Sequence, residues 1–411
     1  MQSTTVVLGG GVGGMVAANE IRRQLPDTHR VVLMEKNALH AFAPSFLWLM
    51  TGDREPDQIR RPMAGLLRRG VELVQAEVIG IDPVHRKVRT SATEIAYDHL
   101  IVALGADLAP EAIPGLAASH TFFTLEGAAA LRDALSTFSG GRIAVVVSAM
   151  PYKCPGAPHE GAMLIADYFR RRGLSAKVEI HLFTPEPQPM PVAGPQLGEA
   201  VRGMLQAKGI EFYPLHKLGA VDPGAREMTF DNGARFRYDL LVAVPPHRAP
   251  KAVVEAGLTN QTGWIPVDPG TLSTSQDGIY AIGDITAIPI PGRWKPDVPL
   301  MLPKAGVFAH AQAEVVAQRI VAAIAGRPCE ATFCGDGYCV LEAGEDLAGF
   351  AFGNFFAEPA PRVQLRQIGK AWHLGKVLFE KWWLAPVGVR RSLIGWVVRA
   401  GGRLYGIPIN L

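Results

Sequence analysis

A short apolar strand running straight into a glycine-rich turn constrains this chain more than any other stretch. Thr4–Leu8 reads "TTVVL" and "GGGVGG" follows at once, so Gly9, Gly11 and Gly14 stand in G-x-G-x-x-G spacing, with Gly13 inside it. The pattern predicts a helix over residues 13–25, ending before "PD". A second strand, "RVVLME", ends in Glu35, about 20 residues after Gly14, with Lys36 beside it. The first two glycines permit a tight turn and close backbone approach to a pyrophosphate. The third lets the helix pack on the strand, with its N-terminal amides facing phosphate. An acid at the end of the second strand accepts a hydrogen bond from a ribose hydroxyl. Glycines, strand, helix and acid in register point to a dinucleotide.

Composition narrows the class. The chain has 411 residues, 48% of them hydrophobic, enough for two or three domains with substantial cores. A net charge of +3 argues against a general nucleic-acid binder. No apolar run reaches the roughly 18–20 residues of a membrane-spanning helix. The N-terminus already reads as a working strand and turn, so no signal peptide and a cytosolic site of folding are expected. Four cysteines in so long a chain are no disulfide framework; in that setting thiols are catalytic, metal-binding or inert.

Two further strand patterns end in small residues and glycine. "YDHLIVALGA" carries Ala103 and Gly105, and "GIYAIGDI" ends in Gly283 and Asp284. An acid at the carboxyl end of a buried strand lies in the crevice where open α/β sheets bind ligands, and it suits polyol hydroxyls. "PKAG", with Lys304, Ala305 and Gly306, opens an apolar helix whose N-terminal dipole and lysine suit a nearby anion.

The place of a second phosphate turn is taken by "SAMPYKCPGAPHEG", between the strand "GRIAVVV" and a helical pattern. Pro151, Pro155 and Pro158 lack the backbone N–H groups that cradle phosphate. Cys154 precedes a helix start near His159 and Glu160, and Lys153 adjoins it. Positive charge and a helix N-terminus both lower a thiol pKa, so a reactive thiolate is expected. Glu160 is placed to shuttle a proton or merely to begin the helix. The remaining thiols are Cys329, Cys334 and Cys339, whose spacing does not match paired zinc ligands, so no metal site is expected. Cys339 lies in a strand pattern, "GYCVLEAG"; Cys329 and Cys334 fall in a connecting loop.

From residue 361 onward there are nine Lys or Arg residues against one acid, Glu380, together with four of the seven tryptophans. "VGVRRSLIGWVVRAGGRLYG" sets Arg391, Arg399 and Arg403 near one helical face and Leu393, Trp396, Val397 and Leu404 largely elsewhere. Such segments lie in a membrane interface. Two short helices broken near "WLAPVG" are expected, with a homo-oligomer contact in the same region.

Gly9, Gly11, Gly14 and Glu35, then "VALGA", then "AIGD" resemble, in order, the FAD-dependent pyridine-nucleotide-disulfide reductase superfamily. With "YKCPGAPHE", "TPEPQPMPVAG", "PLMLPKAG" and "WHLGKVLFEKWW", the chain resembles sulfide:quinone oxidoreductase and the flavoprotein of flavocytochrome c sulfide dehydrogenase. The resemblance implies an α/β fold with two Rossmann-like domains and a C-terminal membrane-associating region. Its expected divisions are 1–115 with 246–326 for FAD, 116–245 for the second Rossmann-like domain, and 327–411 for the rest. It implies that Cys154 and Cys339 form a redox pair flanking the flavin. Lys376 and Phe379 would line a quinone site, with Tyr338 across the ring. Sulfide is the implied substrate, a membrane quinone the acceptor, and the cytoplasmic bilayer surface the location. "NALHAFAPSF" has no cysteine, so FAD is expected to be non-covalent. A type II NADH:quinone oxidoreductase, a cytochrome-coupled flavoprotein and a non-catalytic persulfide sensor stay open as alternatives.

Overall fold

The structure, a computed structural model, describes residues 2–406. Met1 and residues 407–411, which the expected 1–115 and 327–411 divisions include, lie outside the described residues.

The first sheet holds five strands: β1 (Thr4–Leu8), β2 (Arg30–Met34), β3 (Val71–Val74), β4 (His99–Val102) and a late strand, Ile279–Ala281. All are parallel, with β1 between β2 and β4 and the late strand beside β4. The apolar runs of β1, β2 and β4 are buried on both faces, as a parallel sheet covered by helices requires, while the edge strand β3 is half-buried. Helix α1 (Val12–Gln24) starts one residue before the expected position. Gly9 takes a φ of +95°, and a Cβ on Gly14 would come within 1.9 Å of the Gly9 carbonyl oxygen. Helix and turn therefore approach as closely as only glycine allows.

The second sheet is built from β5 (Gly141–Val147), β6 (Val178–Phe183), β7 (Ile210–Tyr213) and β8 (Leu240–Val244), also parallel, in the order β7-β6-β5-β8. Helix α2 (Ala157–Arg171) follows β5 across the proline-rich loop. The chain then returns to the first sheet through the late strand, β9 (Ile279–Ala281). Helix α3 (Gly306–Ile324) follows, starting at "PKAG" as expected.

Three antiparallel strands come next: β10 (Asp336–Gly344), β11 (Leu347–Asn354) and β12 (Arg362–Gly369). The chain ends in two helices, α4 (Lys370–Trp383) and α5 (Val389–Leu404). The break between them falls on the "LAPVG" stretch, where Pro386 cannot continue a helix. Gly395 lets α5 close on α4, since a Cβ there would sit 2.9 Å from the Trp382 indole nitrogen. Leu393, Trp396, Val397 and Leu404 are exposed on α5. No helix among the described residues is long and apolar enough to cross a membrane.

The glycine geometry yields a graded expectation. Gly14→Ala should lower the thermal unfolding midpoint well below that of Gly11→Ala, because a Cβ on Gly11 meets nothing within 4 Å. Calorimetry of the two variants checks it; equal midpoints would contradict the packing described.

Candidate active site

The proline-rich loop is tied down by backbone. The Cys154 amide donates to the Lys304 carbonyl at 2.7 Å, and Lys153 and Lys304 form a parallel bridge. The Cys154 carbonyl accepts from the Ala157 amide at 2.9 Å. Held at both ends, Cys154 adopts a φ of +57°, a left-handed conformation that costs a non-glycine residue roughly 1–2 kcal/mol. This strain sits on the one residue that the sequence singled out in the loop.

The same contacts dispose of the phosphate-binding capacity of α2. The Ala157 amide is taken by Cys154, Pro158 has none, and the His159 and Glu160 amides both bond to the Gly156 carbonyl. A helix start that ordinarily offers free donors to an anion has none of these four to give.

Cys154 lines a mostly apolar cavity of about 520 Å³ with Cys339, Tyr338, Lys304, Trp264 and Phe352. Cys339 arrives on β10, whose alternation turns it toward Gly156: a Cβ on Gly156 would lie 3.5 Å from the Cys339 sulfur and 3.4 Å from Glu160 Oε1. Both cysteines are free thiols. Cys329 and Cys334 are free as well but do not line this cavity.

Electrostatics here reverse one expectation. Burial, and then the Glu160 carboxylate, push the Cys154 thiol up to about 12. Burial, Glu160 and Cys154 together hold Cys339 well above the usual thiol range. The depressed pKa expected of Cys154 from Lys153 and the helix start is not found. Lys376 is the cation that opposes the rise, and it does not outweigh an apolar cavity and a facing carboxylate.

Behind the thiols lies a buried ionic cluster. The Lys376 ammonium donates to Glu160 Oε2 at 2.7 Å and stands 3.9 Å from Glu342 Oε1. Glu160 Oε2 also accepts from the Glu342 amide at 3.0 Å. Burial alone would lower the Lys376 pKa, but Glu160 and Glu342 raise it, so the ammonium stays charged. Glu342 Oε2 in turn faces His373 Nδ1 at 2.8 Å, and this hydrogen bond raises the histidine above 6.5. Glu342 and His373 were not foreseen; an acid three residues past a cysteine carries no sequence signal. Glu380 had one, as the lone acid of a basic tail. It is fully buried, accepting from Ser45 Oγ at 2.5 Å and Arg54 Nε at 3.1 Å.

The glycine turn lies where α1 and α3 begin together: a Cβ on Gly306 would be 3.3 Å from Val12 Cγ2. Ala305 is the N-cap of α3. A Cβ on Gly9 would meet the Ala103 carbonyl oxygen at 2.5 Å, while Gly11 and Gly105 face open space. A Cβ on Gly13 would press on Ile282. Glu35 Oε2 accepts from the Gly10 amide at 2.7 Å, and its Oε1 accepts from the Asn37 backbone and side chain. Lys36 lies outward, 3.8 Å from Glu77. Gly283 donates to Gln312, and burial raises the Asp284 carboxyl, with Lys153 and Lys304 opposing. The Lys304 ammonium donates to the Asp284 and Thr286 carbonyls and sits 3.6 Å over Trp264; burial lowers it to about 8. Two helix starts, an open glycine turn, an acid at its edge and a half-buried acid above it fit the parts of a flavin dinucleotide.

His40, also unforeseen, joins this turn to α4. Trp383 Nε1 donates to His40 Nε2 at 2.8 Å, leaving Nδ1–H to donate to the Gly10 carbonyl at 3.1 Å. Phe379 belongs to the same cluster, packed on Phe42 and Trp383. Of the three residues assigned to a quinone, Lys376 and Phe379 stand three apart on α4, and Tyr338, expected across the ring from them, lies on β10. Tyr338 shares the cysteine cavity, Lys376 is held by Glu160, and Phe379 faces the aromatic cluster.

Two parallel sheets and a glycine turn at the end of the first strand define a dinucleotide-binding α/β class, and residues 3–313 match the pyridine nucleotide-disulphide oxidoreductase family. The chain belongs to that family. Within it, the chain is 28% identical to the sulfide-quinone reductase of Aquifex aeolicus, across 94% of this chain and 91% of that protein. It is 27% identical to the mitochondrial sulfide:quinone oxidoreductase of Mus musculus, across 69% and 66%. The crystal structure of the Aquifex aeolicus sulfide:quinone oxidoreductase superposes with a TM-score of 0.83 at 25% identity, covering 97% of this chain and 92% of that one.

Two outcomes follow from the ionic cluster. Lys376→Met should lower unfolding free energy by about 3–5 kcal/mol, because it strands a buried carboxylate, and adding Glu160→Gln should recover part of the loss; urea titration of the single and double variants measures both. His373 has a raised pKa in the fold, so its contribution is complete below 6.5 and is lost as pH climbs through the raised value. Relative to His373→Gln, the unaltered protein should therefore lose stability across that climb, and parallel pH profiles would exclude the Glu342 contact.

Proposed function

We propose that this chain is a flavin-dependent sulfide:quinone oxidoreductase that works through Cys154 and Cys339. What supports the reading is one observation above the rest: two thiols from distant segments share an apolar cavity against the start of α3, in a chain related to named sulfide:quinone oxidoreductases. Gly9, Gly11, Gly13, Gly14, Glu35, Ala103, Gly105, Gly283, Asp284 and the Lys304–Gly306 segment would hold FAD without a covalent bond. Residues 1–115 and 246–326 form that binding unit, 116–245 the second, and 327–411 the remainder. When bound, FAD supplies a two-electron acceptor next to the thiols.

The chain's own residues do the rest. In the oxidised state the two cysteines form a disulfide. HS⁻ attacks one sulfur, a new S–S bond forms and the old one breaks, leaving a persulfide, Cys–S–SH, and a thiolate on the other cysteine. Thiols with raised pKa values make poor attacking groups at neutral pH, which assigns the nucleophile's part to sulfide; the same raised values slow thiolate departure, so the leaving sulfur needs a nearby cation. Lys376 lowers both thiols and so favours the departing thiolate. Glu160 Oε1 and the Cys339 sulfur both border Gly156, while Oε2 is engaged by Lys376 and Glu342, so Oε1 is the atom assigned to take the persulfide proton. The apolar walls exclude water from the S–S–H group.

Tyr338, Lys376 and Phe379 are assigned to the quinone end. The exposed Leu393, Trp396, Val397 and Leu404 of α5 are assigned to the bilayer surface, on the cytoplasmic side. A nicotinamide substrate is disfavoured because the first four amides of α2 offer it nothing.

Anaerobic mixing decides the matter. Sulfide should bleach the flavin absorbance, NADH should not, and a soluble quinone should restore it. Cys154→Ala and Cys339→Ala should each slow sulfide bleaching at least about a hundredfold. Bleaching by NADH, or near-normal rates in both variants, would refute the reading.

A further inference from the structure

A second cavity, of about 450 Å³, lies away from the thiols between α1, α3, α4 and α5. Its lining includes Arg68, Arg391 and Arg399, with Trp382 as one wall. Arg391 is the central group. Its guanidinium lies over Trp382 at 4.7 Å and Trp383 at 5.7 Å, and its Nη1 is buried with no hydrogen-bond partner. Burial and the charge of Arg68 both disfavour its charged form, holding it at about 10. Among the described residues neither Arg391 nor Arg68 has a carboxylate within 4.0 Å.

The cavity also contains acids. Glu20 is engaged by Arg23, at 2.9 Å from Nε and 2.6 Å from Nη2. Glu314 is raised by burial, then by Glu20, which weakens it as a counter-charge for the arginines. His310 is held at about 4, first by burial and then by Arg391, and so adds no cation at neutral pH. Arg391 and Arg68 thus face one space together, Arg391 with an unused buried donor. A buried donor without a partner is destabilising, and more so when it is charged. An arginine fork pairs best with a planar or tetrahedral oxyanion taken two oxygens at a time.

We infer that this cavity is a binding site for a phosphate group, clasped by Arg391 and Arg68. Two sources share that chemistry: a free phosphate or phosphate ester, and the headgroup of an anionic phospholipid. The cavity belongs to the helix that exposes Leu393, Trp396 and Val397 on its other side. A lipid would place its phosphate among the arginines and its chains along those residues. The site does not depend on sulfide chemistry, and its test does not read enzyme activity.

The full-length protein is titrated calorimetrically with inorganic phosphate and with glycerol 3-phosphate. Arg391→Gln and Arg68→Gln should each weaken binding about tenfold or more. Arg390→Gln, an exposed neighbour outside the cavity with the same loss of charge, should leave it unchanged. Flotation with phosphatidylcholine vesicles, with and without phosphatidylglycerol, then separates the sources. A larger loss of phosphatidylglycerol-dependent binding in Arg391→Gln than in Arg390→Gln assigns the lipid; equal losses, with phosphate binding intact in the unaltered protein, assign the free anion. Should Arg391→Gln unfold, Arg68→Gln carries the comparison alone. No phosphate or phosphatidylglycerol binding in the unaltered protein, or equal effects of Arg68→Gln and Arg390→Gln on phosphate, would overturn the proposal.

Discussion

The contact between Lys376 and Glu160 joins three parts of the chain that are far apart in sequence. Glu160 stands in the first turn of α2, Lys376 on α4, and the Glu342 amide on β10 donates to the same carboxylate oxygen. All three groups are buried, so the cluster holds only while each partner stays in place. Cys154 and Cys339 sit on two of the tied segments. Their closeness therefore depends on an ion pair neither of them makes.

The cluster also explains why the thiols differ from the expectation set by their neighbours in sequence. Lys153 adjoins Cys154 along the chain, yet the lysine that acts on the thiol is Lys376. A nearby carboxylate and an apolar enclosure outweigh it. A raised pKa slows the departure of a thiolate, so any disulfide broken in this apolar cavity would lean on the charge of Lys376. The same balance would be poor for a cysteine that had to attack unaided.

A second set of bonds links the dinucleotide turn to the C-terminal helices. Trp383 fixes the tautomer of His40, and His40 reaches the Gly10 carbonyl. Glu380, one turn from Lys376, anchors the same helix to Ser45 and Arg54. The tail is therefore part of the frame around the turn, and only one side of α5 is left exposed.

The strands, the glycine turn, the damaged second turn and the break between the last helices were legible because each rests on local chemistry: apolar runs, residues without a Cβ, and prolines without an N–H. Gly9 to Glu35 announce a dinucleotide site from their spacing alone, and Cys154 stands out among prolines without help from the fold. The partners of that cysteine were not legible in the same way. Glu342, His373 and His40 matter through contacts made across sheets and helices, and Lys376 through the carboxylates it meets, so only tertiary structure could name them. Thiol pKa belongs to this second group too, since burial and charges from remote segments set it and adjacent residues do not.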